Sequence, residues 1–351
     1  MFIGIFMYNN KLFKKFCKER NIKDSTIESY SIPIKRYIRF HNCSLEELIE
    51  EANIDEEKRI PLKQRRLKDR LISFRNNLLE SKLSSNTIRT YFSKIKTFYK
   101  HFEIEIPYLP EIKYEKDYVT NYLDLPTKEH IRQAVDYSQL PIKALILFMS
   151  SSGTAKAETL SLTVKDFIEA TKEYHKSNNL SNILYELSQK DEIIPTIYLK
   201  RIKTDKYYYT FCSSEASKYI VLYLKSRRNL KLNDKLFPFK SSYVISAFQK
   251  INDNMRWGVK GKYRFFRTHT LRKFHASNIQ LSAEYVDALQ GRSKNSVHET
   301  YIKTNPDKLK EIYIKKMKNV MIFYDDKNNK DNNEEINITI NIFLSNKHLI
   351  L

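Results

Sequence analysis

An imidazole and a guanidinium stand three residues apart in His269-Thr270-Leu271-Arg272, so a helix through this stretch presents both on one face. Farther along, Leu289-Gln290-Gly291-Arg292 supplies a second guanidinium, and Tyr301 follows nine residues after it. A guanidinium stays charged and forks onto two phosphate oxygens at once. Two of them beside a phenol predict a site built for a phosphodiester, with Tyr301 as the nucleophile. The competing reading is a basic amphipathic helix pair with a surface tyrosine, which a chain with 24 Tyr could place anywhere.

The elements that must position these groups are mostly helical. Leu12, Phe13 and Phe16, then Ile27, Tyr30, Ile34, Tyr37 and Ile38, recur at helical spacing, with Asp24-Ser25 as a cap for the second run. Two further helices are expected at about 62 to 81 and 84 to 102, the last with an apolar stripe through Ile88, Tyr91, Ile95 and Phe98. Pro107 and Pro110 lie among alternating charges and mark a linker over residues 106–125. Thr127 can then cap a helix, and PIKALILFMSSSG reads as a buried helix stopped by Gly153. Residues 193–211 alternate around Lys203-Thr-Asp-Lys206 as a hairpin, preceded by an Asn/Ser/Lys-rich excursion into solvent. Residues 214–257 are expected to be helical, and residues 306–323 to form one helix after Tyr301. His275 is expected to be a packing or surface histidine, and His298, three residues before Tyr301, is a minor candidate for the site.

Net charge is +21 over 351 residues, and it is concentrated. Residues 58–100 hold 13 Lys and Arg against 2 Asp and Glu, and residues 200–275 hold 19 against 4. One basic window in each half is what a chain gripping a single polyanion needs, whereas a basic surface kept for solubility spreads its charge. Cys17, Cys43 and Cys212 are too few and scattered for a disulfide framework or a zinc site, which fits a reducing cytoplasm. The opening MFIGIFMY is short and lacks a basic leader, so it is expected to be a strand or packing arm, and no run has the length of a membrane span.

The order His269-x-Leu271-Arg272, then Gly291-Arg292, then Tyr301 resembles the tyrosine recombinase (phage integrase) family, whose catalytic domain carries an H-x-L-R box, a G-H or G-R dipeptide and a tyrosine about nine residues on. Arg in place of His at 292 is similar to archaeal members. Residues 84–98, reading S-x-N-T-I-R-T-Y-F-S-K-I-K-T-F from Ser84 with one residue between the serine and asparagine, look like the last helix of that family's core-binding bundle. The resemblance implies a mainly α fold with a small β-hairpin (α+β). It implies a helical core-binding domain over 1–105 and a catalytic domain over 126–324; residues 325–351 read as a disordered polar linker followed by an alternating strand, an element that members of the family often exchange between protomers. Gly153-Thr-Ala-Lys-Ala-Glu158 resembles the first box, G-x-R-x-x-E, but Ala155 stands where the arginine belongs, and Lys156 is the nearest base.

What the resemblance implies chemically is a transesterification without cofactor or metal. Tyr301 attacks a scissile phosphate of double-stranded DNA to give a 3′-phosphotyrosine and a free 5′-hydroxyl. Arg272 and Arg292 hold the non-bridging oxygens, with Lys156 as a point-charge substitute for the missing fork. Lys203, with Lys206 and Lys200 as rivals, protonates the leaving oxygen, and His269 assists proton transfer. The expected protein is a site-specific recombinase, an integrase or resolvase working as a dimer or tetramer on DNA. The alternatives are a DNA-binding relative with a decayed site and a type IB topoisomerase, against which the small size and the bundle argue.

Overall fold

Phe13 and Phe16, three residues apart, are both buried in α1 (Lys11–Glu19), which opens where the Asn10 side chain accepts the Phe13 N–H at 2.9 Å. The computed structural model describes residues 10–113, 118–292 and 305–324. The sequence-stretches expected as an N-terminal arm, a polar tail and a C-terminal strand lie outside the described residues, as do Tyr301 and His298. The chain divides into two compact units, Met1–Tyr118 and Val119–Leu351.

The first unit continues with α2 (Asp24–His41), α3 (Leu45–Glu57), α4 (Arg66–Leu79) and α5 (Ser85–His101). Asp24 is the first residue of α2, not its cap; Lys23 holds that position without a side-chain bond, so the helix starts one residue early. Ser44 and Glu47 form a reciprocal capping box on α3, and the Ser84 hydroxyl accepts the Thr87 N–H at the start of α5. The α5 stripe is Ile88, Phe92, Ile95, Phe98 and Tyr99, with Tyr91 at its edge. Phe16 packs on Phe98 with ring centroids 5.2 Å apart, and the buried hydroxyls of Tyr37 and Tyr99 satisfy each other at 3.1 Å.

The second unit is built on α7 (Leu140–Ser152), which follows α6 (Lys128–Tyr137). Ala144 through Ser152 are all buried, as in a helix surrounded by protein, and the hydroxyls of Ser150, Ser151 and Ser152 bond back to carbonyls at Leu147 and Phe148. Gly153 ends it in the left-handed conformation, φ +66°. Next come α8 (Lys156–Ser161), α9 (Val164–Ala170) and α10 (Leu180–Ser188). This last helix corrects the expected solvent excursion: Ile183, Leu184 and Leu187 sit at i, i+1, i+4 and are buried in the core, a stripe obscured by the polar residues around it.

Strands β1 (Ile197–Lys200) and β2 (Tyr207–Thr210) pair antiparallel, with Ile197 opposite Thr210 and Lys200 opposite Tyr207. Helices α11 (Ser214–Ser226) and α12 (Ser241–Asn254) are separated by an irregular stretch, so 214–257 is helical only in part. The short strands β3 (Val259–Lys260) and β4 (Tyr263–Arg264) lead into α13 (Thr268–Asn278) and α14 (Ala283–Leu289), and α15 (Pro306–Met317) follows. α15 stops at Met317 instead of running to 323. Beyond it the backbone is held by side chains from α6 and α11. Lys128 and Arg132 donate to the carbonyls of Lys318 and Ile322, and the buried Glu215 carboxylate accepts the N–H groups of Ile322 and Phe323 at 2.6 and 3.0 Å. Helices α6, α11 and α13 pack on α7, the second unit is mainly helical with small antiparallel sheets, and no described helix is long and apolar enough to cross a membrane.

Candidate active site

Arg272 lies on the first turns of α13, a buried position that carries its guanidinium against the end of α7. One nitrogen donates to the Gly153 carbonyl at 2.9 Å, and another donates to the Gln290 carbonyl at 2.7 Å. Glu158 Oε2 is 3.7 Å from Nη1. Three segments far apart in sequence, around 153–158, 268–278 and 289–292, therefore meet at one charged fork. Burial lowers the pKa of Arg272, Glu158 and Tyr208 oppose that shift, and Arg292 and Arg201 add to it.

Both glycines here are required by close approach. A Cβ on Gly153 would lie 2.5 Å from His275 Nδ1, and one on Gly291, at φ +60°, would lie 2.5 Å from the Tyr208 ring. Glu158 is buried on α8, where it accepts the Ala155 N–H at 3.1 Å and the Tyr208 hydroxyl at 2.9 Å. Burial and then Glu158 push the Tyr208 phenol well above its ordinary pKa, so it stays a proton donor to the carboxylate. Ala155 precedes the first turn of α8 and contributes no charge, and Lys156 is half-buried on that turn, its ammonium pKa lowered by burial. Among the described residues no hydrogen bond or ion pair involves the Lys156 ammonium.

The hairpin places its lysines differently. Lys203 is exposed at the tip, Lys200 pairs with Asp205 at 3.1 Å, and Lys206 donates to the Arg292 carbonyl at 3.4 Å. Arg201, absent from the expected set, donates to the Gly291 carbonyl at 2.5 Å. The signal that could have found it is strand alternation: Ile197 and Leu199 point inward and Tyr198 and Lys200 outward, so the next residue faces in.

Arg292 extends from the turn after α14, its guanidinium 3.8 Å from Asp287 and partly exposed. His269 is solvent-reachable on the first turn of α13. Partial burial and then Arg267, Lys273, Arg272 and Arg292 lower its pKa, so the imidazole is neutral over a wider range than usual. His275 is a packing residue: it is fully buried, its Nδ1 is 3.0 Å from Gln290 Nε2, and burial takes its pKa down to about 3. The structure thus brings Arg272, Arg292, Lys206 and the Gly153–Glu158 segment together, with His269 one turn before Arg272; Tyr301 lies outside the described residues.

No family model and no curated protein match this sequence. Solved structures do. A lambda integrase tetramer bound to a Holliday junction superposes with a TM-score of 0.52 at 14% identity, over 86% of this chain and 80% of that one. XerH site-specific recombinase bound to its difH substrate gives a TM-score of 0.47 at 18% identity, over 85% of this chain and 82% of that one. The fold that carries the His269–Arg272 and Gly291–Arg292 boxes is therefore the one seen in lambda integrase, a tyrosine recombinase.

Proposed function

We propose that the chain is a site-specific DNA recombinase that cuts and rejoins duplex DNA through a 3′-phosphotyrosine at Tyr301. The observation that carries this reading is the meeting of Arg272 and Arg292 at one turn, with Gly153 and Glu158 of the first box holding Arg272 from the other side. A buried fork held by backbone carbonyls is preorganised, so it stabilises charge developing on a phosphate without first having to move. In this scheme Arg272 and Arg292 take the non-bridging oxygens, His269 assists proton transfer, and Lys203 or Lys206 donates the proton to the 5′-oxygen that leaves. Lys156 adds positive charge from the first turn of α8. The reading also includes a dimer or tetramer on DNA and a DNA-associated place in the cytoplasm.

A second reading, a DNA-binding protein without strand transfer, is favoured by one observation, the uncharged Ala155 in the first box. Incubation with a suicide substrate nicked near the cleavage position separates the two. Covalent adduct that disappears in Tyr301→Phe is the expected result; binding without adduct at any pH would support the second reading.

A further inference from the structure

We propose that Arg201 is a phosphate-binding residue of this site and supplies the guanidinium that the first box lacks at Ala155. The inference rests on the recombinase reading and adds to it a residue from an element outside the boxes.

Arg201 follows β1, whose alternation turns it toward the inner face of the hairpin, and it is half-buried there. Its Nη1 donates to the Gly291 carbonyl at 2.5 Å, one residue along from the carbonyl held by Arg272. The two forks are thus neighbours on one turn, and their charges act on each other. A guanidinium has five N–H donors and Gly291 accounts for one, so others remain for a ligand. Among the described residues no carboxylate lies within ion-pair distance of Arg201.

The local charge balance points the same way. Arg201, Arg272, Arg292 and Lys206 gather around residues 290–292, against Glu158 beside Arg272 and Asp287 beside Arg292. Like charges are held together in a partly desolvated place where an anion is to be bound, since otherwise their repulsion has no return. Lys156, the other candidate for the missing charge, is a point charge without a fork and without a contact that aims it.

The test is the rate of covalent adduct formation on the nicked substrate at saturating DNA, for the full chain, with melting temperature measured on each variant. Arg201→Ala should slow adduct formation on the order of 100-fold, as loss of one oxyanion donor does. Adding Ala155→Arg to that variant should restore the rate at least roughly tenfold, because a fork from the first box reaches the same oxygens. A role limited to docking the hairpin would not be rescued from a different element, so a stable Arg201→Ala protein that Ala155→Arg leaves slow overturns the proposal. Arg201→Lys keeps one donor for Gly291 and is the variant to read if Arg201→Ala melts early. It should remain at least roughly tenfold slow, and a wild-type rate overturns the proposal. So does a wild-type rate for Arg201→Ala, with or without a loss in Lys156→Ala. If the wild type itself forms no adduct, the recombinase reading falls and this inference with it.

Discussion

Two groups of arginines, one in each unit, are held in opposite ways. In the helical bundle Arg70 forms a bidentate pair with Glu51 at 2.5 and 2.7 Å, Arg65 lies 2.5 Å from Glu56, and Arg66 binds the buried carboxylate of Asp55. In the second unit Arg272 and Arg201 lean on carbonyls, and the one carboxylate near Arg272 is 3.7 Å away. A carboxylate cancels a cation's charge, whereas a carbonyl dipole orients the cation and leaves most of its field intact. Arg65, Arg66 and Arg70 therefore contribute to the architecture of the bundle, whereas Arg201 and Arg272 keep more of their field.

The largest blow to this contrast should come from Arg272→Ala. It strands the buried Glu158 and frees two carbonyls, so unfolding in urea should show a loss of about 3 kcal/mol, and adduct formation should fall on the order of 100-fold or more. A loss no greater than that of Arg70→Ala would mean the two kinds of pairing are equivalent. Gly291→Ala comes next, at about 2 kcal/mol, because φ +60° strains an alanine and its Cβ meets the Tyr208 ring. The check is again the urea midpoint, and a neutral result would show that the Tyr208 ring can give way. Asp55→Asn should cost about 1 to 2 kcal/mol by weakening the bonds to the Arg66 N–H and guanidinium. Cleavage at saturating DNA should be unaffected if the bundle's pairs are architectural.

A further effect is read from pH. His275 is neutral in the fold, with a pKa of about 3 against an ordinary 6.5, so the unfolded chain takes up its proton first. Stability from this group is complete above 6.5 and is lost as pH falls toward 3, by about 1.4 kcal/mol per pH unit. Glu215 acts in the opposite sense: burial raises its pKa to about 7, so the penalty of ionising it fades as pH falls from 7 toward 4.5. The informative quantity is therefore the difference between the wild type and His275→Leu. Between about pH 6 and 4.5 the wild type should lose stability more steeply by that slope, and parallel curves would place the His275 pKa elsewhere.

How much of this was legible in the sequence depended on range. The H-x-L-R spacing led to a helix with Arg272 in place, and the alternation around 203–206 led to the hairpin, because both patterns are local. The counted charge window over 58–100 overstated the free charge of the bundle, since Arg65, Arg66 and Arg70 are paired with carboxylates on α3, outside that window. Arg201 went unnoticed for a related reason: the alternation of β1 tells that it faces in but not what it meets, and its partner is Gly291, ninety residues away. Only burial in three dimensions separated α10 from a surface excursion.

Three successive carbonyls, of Gln290, Gly291 and Arg292, each accept from a cation, namely Arg272, Arg201 and Lys206. Displacing that turn would break all three contacts together, and they belong to two separate elements, so residue 292 is a fixed root for the chain that continues to Tyr301. Asn305, which caps α15, receives the chain four residues after the tyrosine. The Gln290–Arg292 turn is in this sense a latch between α13 and the hairpin: a change that loosens one of them is felt by the other through three neighbouring carbonyls.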